Sequence, residues 1–188
     1  MKFLVAAALV ALFFAQNVAP GWSTQSDKKD NAAFVFAGVQ YFHRFTKDDL
    51  LEYTPEGQED LKRWADMVTI NYYRKAKDGD GLATIANAVL ENYKANKAVV
   101  LKTASVPRTP DKPAEHVIVV VFGRAEFIEA AFARFRMHDA VGTSVVYSHR
   151  MHGNNVGPEM SAWLDKNGAT TEKTLMAWDA MPPRPSAK

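Results

Sequence analysis

Glu126–His138 (EFIEAAFARFRMH), followed after Gly142 by Thr143–His152 (TSVVYSHRMH), is the stretch whose reading decides the fold. Phe127, Ile128, Ala131, Phe132 and Phe135 recur at helical spacing, and Glu and Ala favour helix. The same segment also fits a strand, with Ala131, Ala133, Phe135 and Met137 toward a core and Phe132, Arg134, Arg136 and His138 facing away. Thr143–His152 reads well as strand, and Gly142 offers a turn between the two. A hairpin is therefore the better account.

Working outward, His116–Phe122 (HVIVVVF) is apolar at every position from Val117. It predicts a central strand covered on both faces. Leu82, Ile85, Ala86, Val89, Leu90 and Tyr93 fall three and four apart, which predicts an amphipathic helix with Asp80 capping its first turn. Ala98–Val106 is a further strand, and the three prolines of Pro107–Glu115 make an irregular connection. Phe34–Phe45 reads as aromatic-rich strand broken at Gly38. Leu50–Thr54 and Trp64–Tyr73, the latter alternating from Met67 onward, follow as strands, and Pro55-Glu56-Gly57 ends the first of them. Helical stretches are expected near Pro158–Lys166 and Thr171–Met181, broken at Gly168, with Trp163, Leu175, Met176 and Trp178 as core contacts. The fold class is α+β: a mainly antiparallel sheet with one central amphipathic helix and a C-terminal helix packed on it.

The ends address the chain. Met1-Lys2, an apolar run from Phe3 to Ala15 and small residues to Ser23 form the pattern of a secretory signal peptide over residues 1–23. The run is shorter than the ~20 residues a span requires, so no membrane span is expected after cleavage. Residues 24–33 read as a flexible leader, 34–181 as a single α+β domain and 182–188 as a disordered tail. Periplasmic or secreted localisation follows. The chain has no cysteine, so the core alone must hold it together. The 23 basic side chains, Lys2 among them, face 21 acidic ones, without the basic excess typical of nucleic-acid binders.

Two resemblances arise from these residues. Tyr53-x-Pro55-x-Gly57 with Trp64-x-x-Met67-Val68-Thr69 resembles a signature of uncharacterised exported bacterial proteins; it brings no activity with it. The element order is similar to the Mog1/PsbP-like α/β/α sandwich. That resemblance implies helices on both faces of the sheet and an accessory or binding role rather than catalysis.

Candidate chemistry is sparse. On a strand, His149 and His152 point to opposite faces and cannot share a metal, so no metal site is expected. Asp78-Gly79-Asp80-Gly81 lacks the ligands of a calcium loop and reads as turn plus helix cap. Ser144 and Ser148 lack a nucleophile elbow, and Val121-Phe122-Gly123-Arg124 lacks a dinucleotide loop, so no cofactor is expected. Phe34, Phe36, Tyr41, Phe42 and Phe45 suit a core better than a ligand pocket. A hairpin turning near Val141-Gly142 would collect Arg134, Arg136, His138, Ser148, Arg150 and His152 on one outward face. Such a basic stripe would suit a small anionic ligand, as against a merely solvated face. The expectation is thus an exported, non-enzymatic domain binding an anionic ligand or an envelope protein. The alternative is a hydrolase whose acid/base pair comes from distant segments, with His138 or His149 as the histidine.

Overall fold

The structure is a computed structural model describing residues 32–183. The readings for the signal segment, for most of the leader and for the tail beyond Pro183 lie outside the described residues. In chain order the elements are β1 Phe34–Phe36, β2 Val39–Lys47, β3 Leu50–Pro55, β4 Asp66–Tyr73, α1 Gly79–Ala95, β5 Val99–Val106, β6 Glu115–Gly123, β7 Phe127–His138, β8 Val141–His152 and α2 Gly157–Ala177. The strands form one sheet in the order β1-β2-β3-β4-β8-β7-β6-β5, with every ladder antiparallel. Two meanders, β1–β4 and β5–β8, therefore meet at a single β4–β8 seam.

One helix lies on each face, giving the α+β layering that the sequence predicts. On one side Leu82, Ala86, Val89 and Tyr93 of α1 pack on Ile118, Val120, Phe122, Ala131, Ala133, Phe135 and Val146. On the other, Met160 and Leu175 of α2, with Trp178 just beyond it, join Val117, Val119, Phe132, Val145 and Tyr147. Phe34, Phe36 and Tyr41 belong to this second core, with Phe34 and Phe36 both set against Trp178. Strands β6 and β7 are covered on both faces, which is why their sequences lack clean alternation and why β7 imitates a helix.

Three local expectations are corrected. The N-cap of α1 is Asp78, whose Oδ1 accepts from the Gly81 N–H at 2.8 Å, and Asp80 sits inside the first turn. The C-terminal helix is continuous through Gly168 and stops at Ala177. Nothing crowds Gly168, and an interior glycine costs only about 1 kcal/mol, too little to break a helix anchored by Met160 and Leu175. The β7–β8 turn is Asp139-Ala140, both with positive φ, at 48° and 57°, as two-residue hairpins require. Gly142 instead lies within β8, where its N–H donates to the Ala76 carbonyl at 2.8 Å. A Cβ there would sit 2.7 Å from that of Ala76, so the glycine serves close packing rather than the turn.

Candidate functional site

The two-residue turn sets His138 opposite Val141, and from there even-numbered residues of β7 pair with odd-numbered residues of β8. Arg134, Arg136 and His138 accordingly share a face with Val145, Thr143 and Val141, on the side of α2. Ser148, Arg150 and His152 pair with Ala131, Glu129 and Phe127, on the side of α1. The expected basic stripe does not form. It needed an odd number of turn residues, and a one-residue change in register moves every side chain to the other face.

Most of those side chains are also engaged. Arg134 is buried: its Nε and Nη2 bind Glu115 at 2.8 and 3.0 Å, and its Nη1 donates to the carbonyls of Leu175 (3.0 Å) and Trp178 (2.7 Å). It thus caps the C-terminal end of α2, where a cation meets the negative end of the helix dipole. Arg136 pairs with Asp179. His138 lies 3.5 Å from its neighbour Asp139. Arg150 is held between the rings of Trp64 and Phe127, 3.8 and 3.9 Å from their centroids, while its Nη2 donates to Glu129 at 2.7 Å. The ring of His152 meets the Trp64 carbonyl at 2.9 Å. These contacts fasten the loop carrying Trp64 to the hairpin.

Beside this cluster stands a carboxyl that the sequence did not reveal. Glu52 on β3 is buried and faces the α1 side, because it pairs with Thr69, which pairs with Val146. Burial, reinforced by the charge of Glu129 and opposed by Arg150, pushes it up to about 7. On the same side the fully buried Tyr93 hydroxyl has no hydrogen-bond partner among the described residues.

The second grouping is assembled from distant segments. His149 Nδ1 donates to Asp66 Oδ1 at 2.9 Å and the Tyr147 hydroxyl donates to the same oxygen at 2.8 Å. Burial works to raise the Asp66 carboxyl, but hydrogen bonds from His149 and Tyr147 outweigh it and hold the group below its ordinary value. The His149 ring stacks on Trp163, with centroids 4.1 Å apart and planes 9° from parallel. With Nδ1 committed to the carboxylate, the neutral imidazole presents Nε2 as an acceptor. His149, not His138, is thus the histidine placed with a remote carboxylate.

The third feature is the margin of the sheet. All eight residues of β5 are exposed, and Val99, Val100, Leu101 and Val106 are four of the six large apolar side chains open to solvent among the described residues. Between β5 and α2 lies a cavity of about 480 Å³ lined by Lys102, Ala169, Glu172, Lys173, Met176 and Ala177. Two of these lining residues pair, Lys102 Nζ donating to Glu172 at 2.7 Å. The opposite margin is treated differently: β1 has only three residues, and Trp178 Nε1 donates to the Val35 carbonyl at 2.9 Å. Sequence reasoning placed β5 as a strand but not as an edge. The available signals were a central lysine and the proline-rich segment that follows, both usual at sheet edges.

Among the described residues no helix is long and apolar enough to cross a membrane. No protein-family model matches the chain, and no curated protein matches it. Among solved structures, the Ran-binding protein Mog1p of Saccharomyces cerevisiae is similar, with a TM-score of 0.45 and 7% identity, covering 80% of this chain and 94% of that one.

Proposed function

We propose that the chain is an exported, non-enzymatic binding domain that receives a partner segment along the β5–α2 margin. The observation that carries this reading is the eight-residue exposure of β5 beside an open groove that Ala169, Met176 and Ala177 line together with Lys102, Glu172 and Lys173. An exposed edge offers a row of backbone N–H and C=O groups to an incoming strand, and side-chain pockets then supply specificity. An apolar residue of the partner would enter between Ala169, Met176 and Ala177. An acidic one would meet Lys173, which is how an anionic group enters this reading in place of the hairpin stripe. Export rests on Met1-Lys2 and the apolar run to Ala15, and it makes an envelope protein the expected class of partner.

The test is fluorescence polarisation of the full chain against extended decapeptides alternating valine with threonine or aspartate. Binding is expected in the micromolar range. Leu101→Lys and Ala169→Lys, both at exposed positions, should each weaken it at least tenfold with the melting temperature unchanged. A panel with no binder below about 100 μM, or binders indifferent to both substitutions, would sink the margin as a partner surface.

A hydrolytic reading is favoured by one observation, the Asp66–His149 contact with Nε2 left to accept a proton. Under the binding reading, p-nitrophenyl acetate and bis(p-nitrophenyl) phosphate should be hydrolysed no faster than by buffer. Asp66→Asn should then change only stability, by about 1–2 kcal/mol. A measurable rate that falls a hundredfold in both His149→Ala and Asp66→Asn would put hydrolysis ahead.

A further inference from the structure

Resting on the margin reading, we infer that the partner fitting β5 is a second copy of this chain, joined edge to edge about a two-fold axis at Ala104. The regular part of β5 begins after a bulge at Leu101. From there Lys102, Ala104 and Val106 pair with Val119, Val117 and Glu115, placing them on the α2 side, and Thr103 and Ser105 pair with Ile118 and His116 on the α1 side. An antiparallel copy must bring like faces together. Centring the axis on Ala104 does so at every position: Ala104 meets its own copy, Thr103 meets Ser105, and Lys102 meets Val106. No like charges face each other, and Thr opposite Ser is a favourable cross-strand pair. The small side chain at the axis lets the two backbones approach to ladder distance.

Charge and closure point the same way. Lys102 is already neutralised by Glu172, and the chain carries a formal net charge of only +2, so two copies repel weakly. Among the described residues β1 is short and its Val35 carbonyl accepts from Trp178, so β5 is the longer exposed edge strand, and an edge-to-edge contact occupies it in both copies. The assembly closes at two, as an isologous contact should, rather than growing into a fibre. A five-residue strand pair is small beside standard interfaces, so the dimer is expected at tens of micromolar.

Sedimentation of the exported chain, from Thr24 onward, at about 200 μM tests this. Wild type is expected to approach twice the mass of that protomer. Ala104→Lys and Ala104→Glu, which set like charges face to face at the axis, should each sediment as monomers with unchanged circular dichroism. An equimolar mixture of the two should recover the doubled mass. A monomeric wild type at that concentration overturns the second copy, as does a dimer that survives both substitutions. The decapeptide measurement remains separate: peptide binding by a monomeric wild type would keep the margin reading while removing this one, and loss of both would remove the margin itself.

Discussion

Arg134→Ala is expected to destabilise the fold by about 3–5 kcal/mol, the largest effect of any single polar substitution here. The residue is 4% exposed and carries a whole junction. It binds both oxygens of Glu115 on β6 and the last carbonyls of α2, at Leu175 and Trp178. Truncation leaves the Glu115 carboxylate and the Trp178 carbonyl without this donor, the Leu175 carbonyl with only the Trp178 N–H, and the C-terminal end of α2 without its capping guanidinium. The melting temperature should fall by roughly 10 °C or more for a chain of this length. Arg134→Met, which keeps the stem but not the charge, should recover only the packing share of the loss. Urea unfolding of the three proteins checks this, and a loss below 1 kcal/mol in Arg134→Ala would mean that the junction is not what anchors α2.

Glu52 gives the second large effect, with the opposite sign. Its folded value of about 7 lies above the ordinary 4.5 of a glutamate, because burial outweighs the attraction of Arg150. The folded chain therefore keeps a proton between about pH 4.5 and 7 that the unfolded chain releases. Stability from this group is fully present below about pH 4.5 and is lost as the pH rises through 7. At ~1.4 kcal/mol per unit the loss is about 3 kcal/mol. Glu52→Gln keeps the shape and removes the titration, so it should stabilise the protein by about 2–3 kcal/mol at pH 8 and leave it nearly unchanged at pH 4.5. Urea midpoints at both pH values decide the matter, and parallel shifts would show that Glu52 does not titrate in that window.

Where the apolar pattern fitted one element type alone, sequence reading succeeded. The α1 stripe from Leu82 to Tyr93 and the two-sided β6 run from Val117 come out as expected, because burial writes directly into residue type. The hairpin of β7 and β8 was also legible, yet its function-bearing detail was not. Glycine at 142 outcompeted Asp139-Ala140 as the turn signal, since alanine seldom takes positive φ and aspartate does so far less readily than glycine. That error of parity, rather than of element type, produced the basic stripe. Arg134 reads as an outward charge because it alternates with the Ala131, Ala133 and Phe135 face of β7, and nothing local says that a helix end arrives to consume a guanidinium. The Asp66–His149 contact spans 83 positions and the β5–α2 cavity joins two separate elements, so both exist only in the folded chain. Lys102 was an edge mark in plain view, but an edge is defined by the neighbour that is missing.

The single β4–β8 seam has a consequence in polymer terms. Six of the seven ladders join strands consecutive in sequence, and each closes over a short connection or, at most, the loop carrying Trp64. Only the seam reaches far, tying Tyr73 to Ser144 across 71 positions. Each doubling of a closed loop adds about 0.6 kcal/mol of chain entropy, so this one closure is dearer than the hairpins by only about 2–3 kcal/mol. Both meanders can be built locally, and a long intervening stretch containing α1 can be varied in length at small entropic penalty. The molecule is two short-range ribbons joined once, and its order in the chain costs it very little.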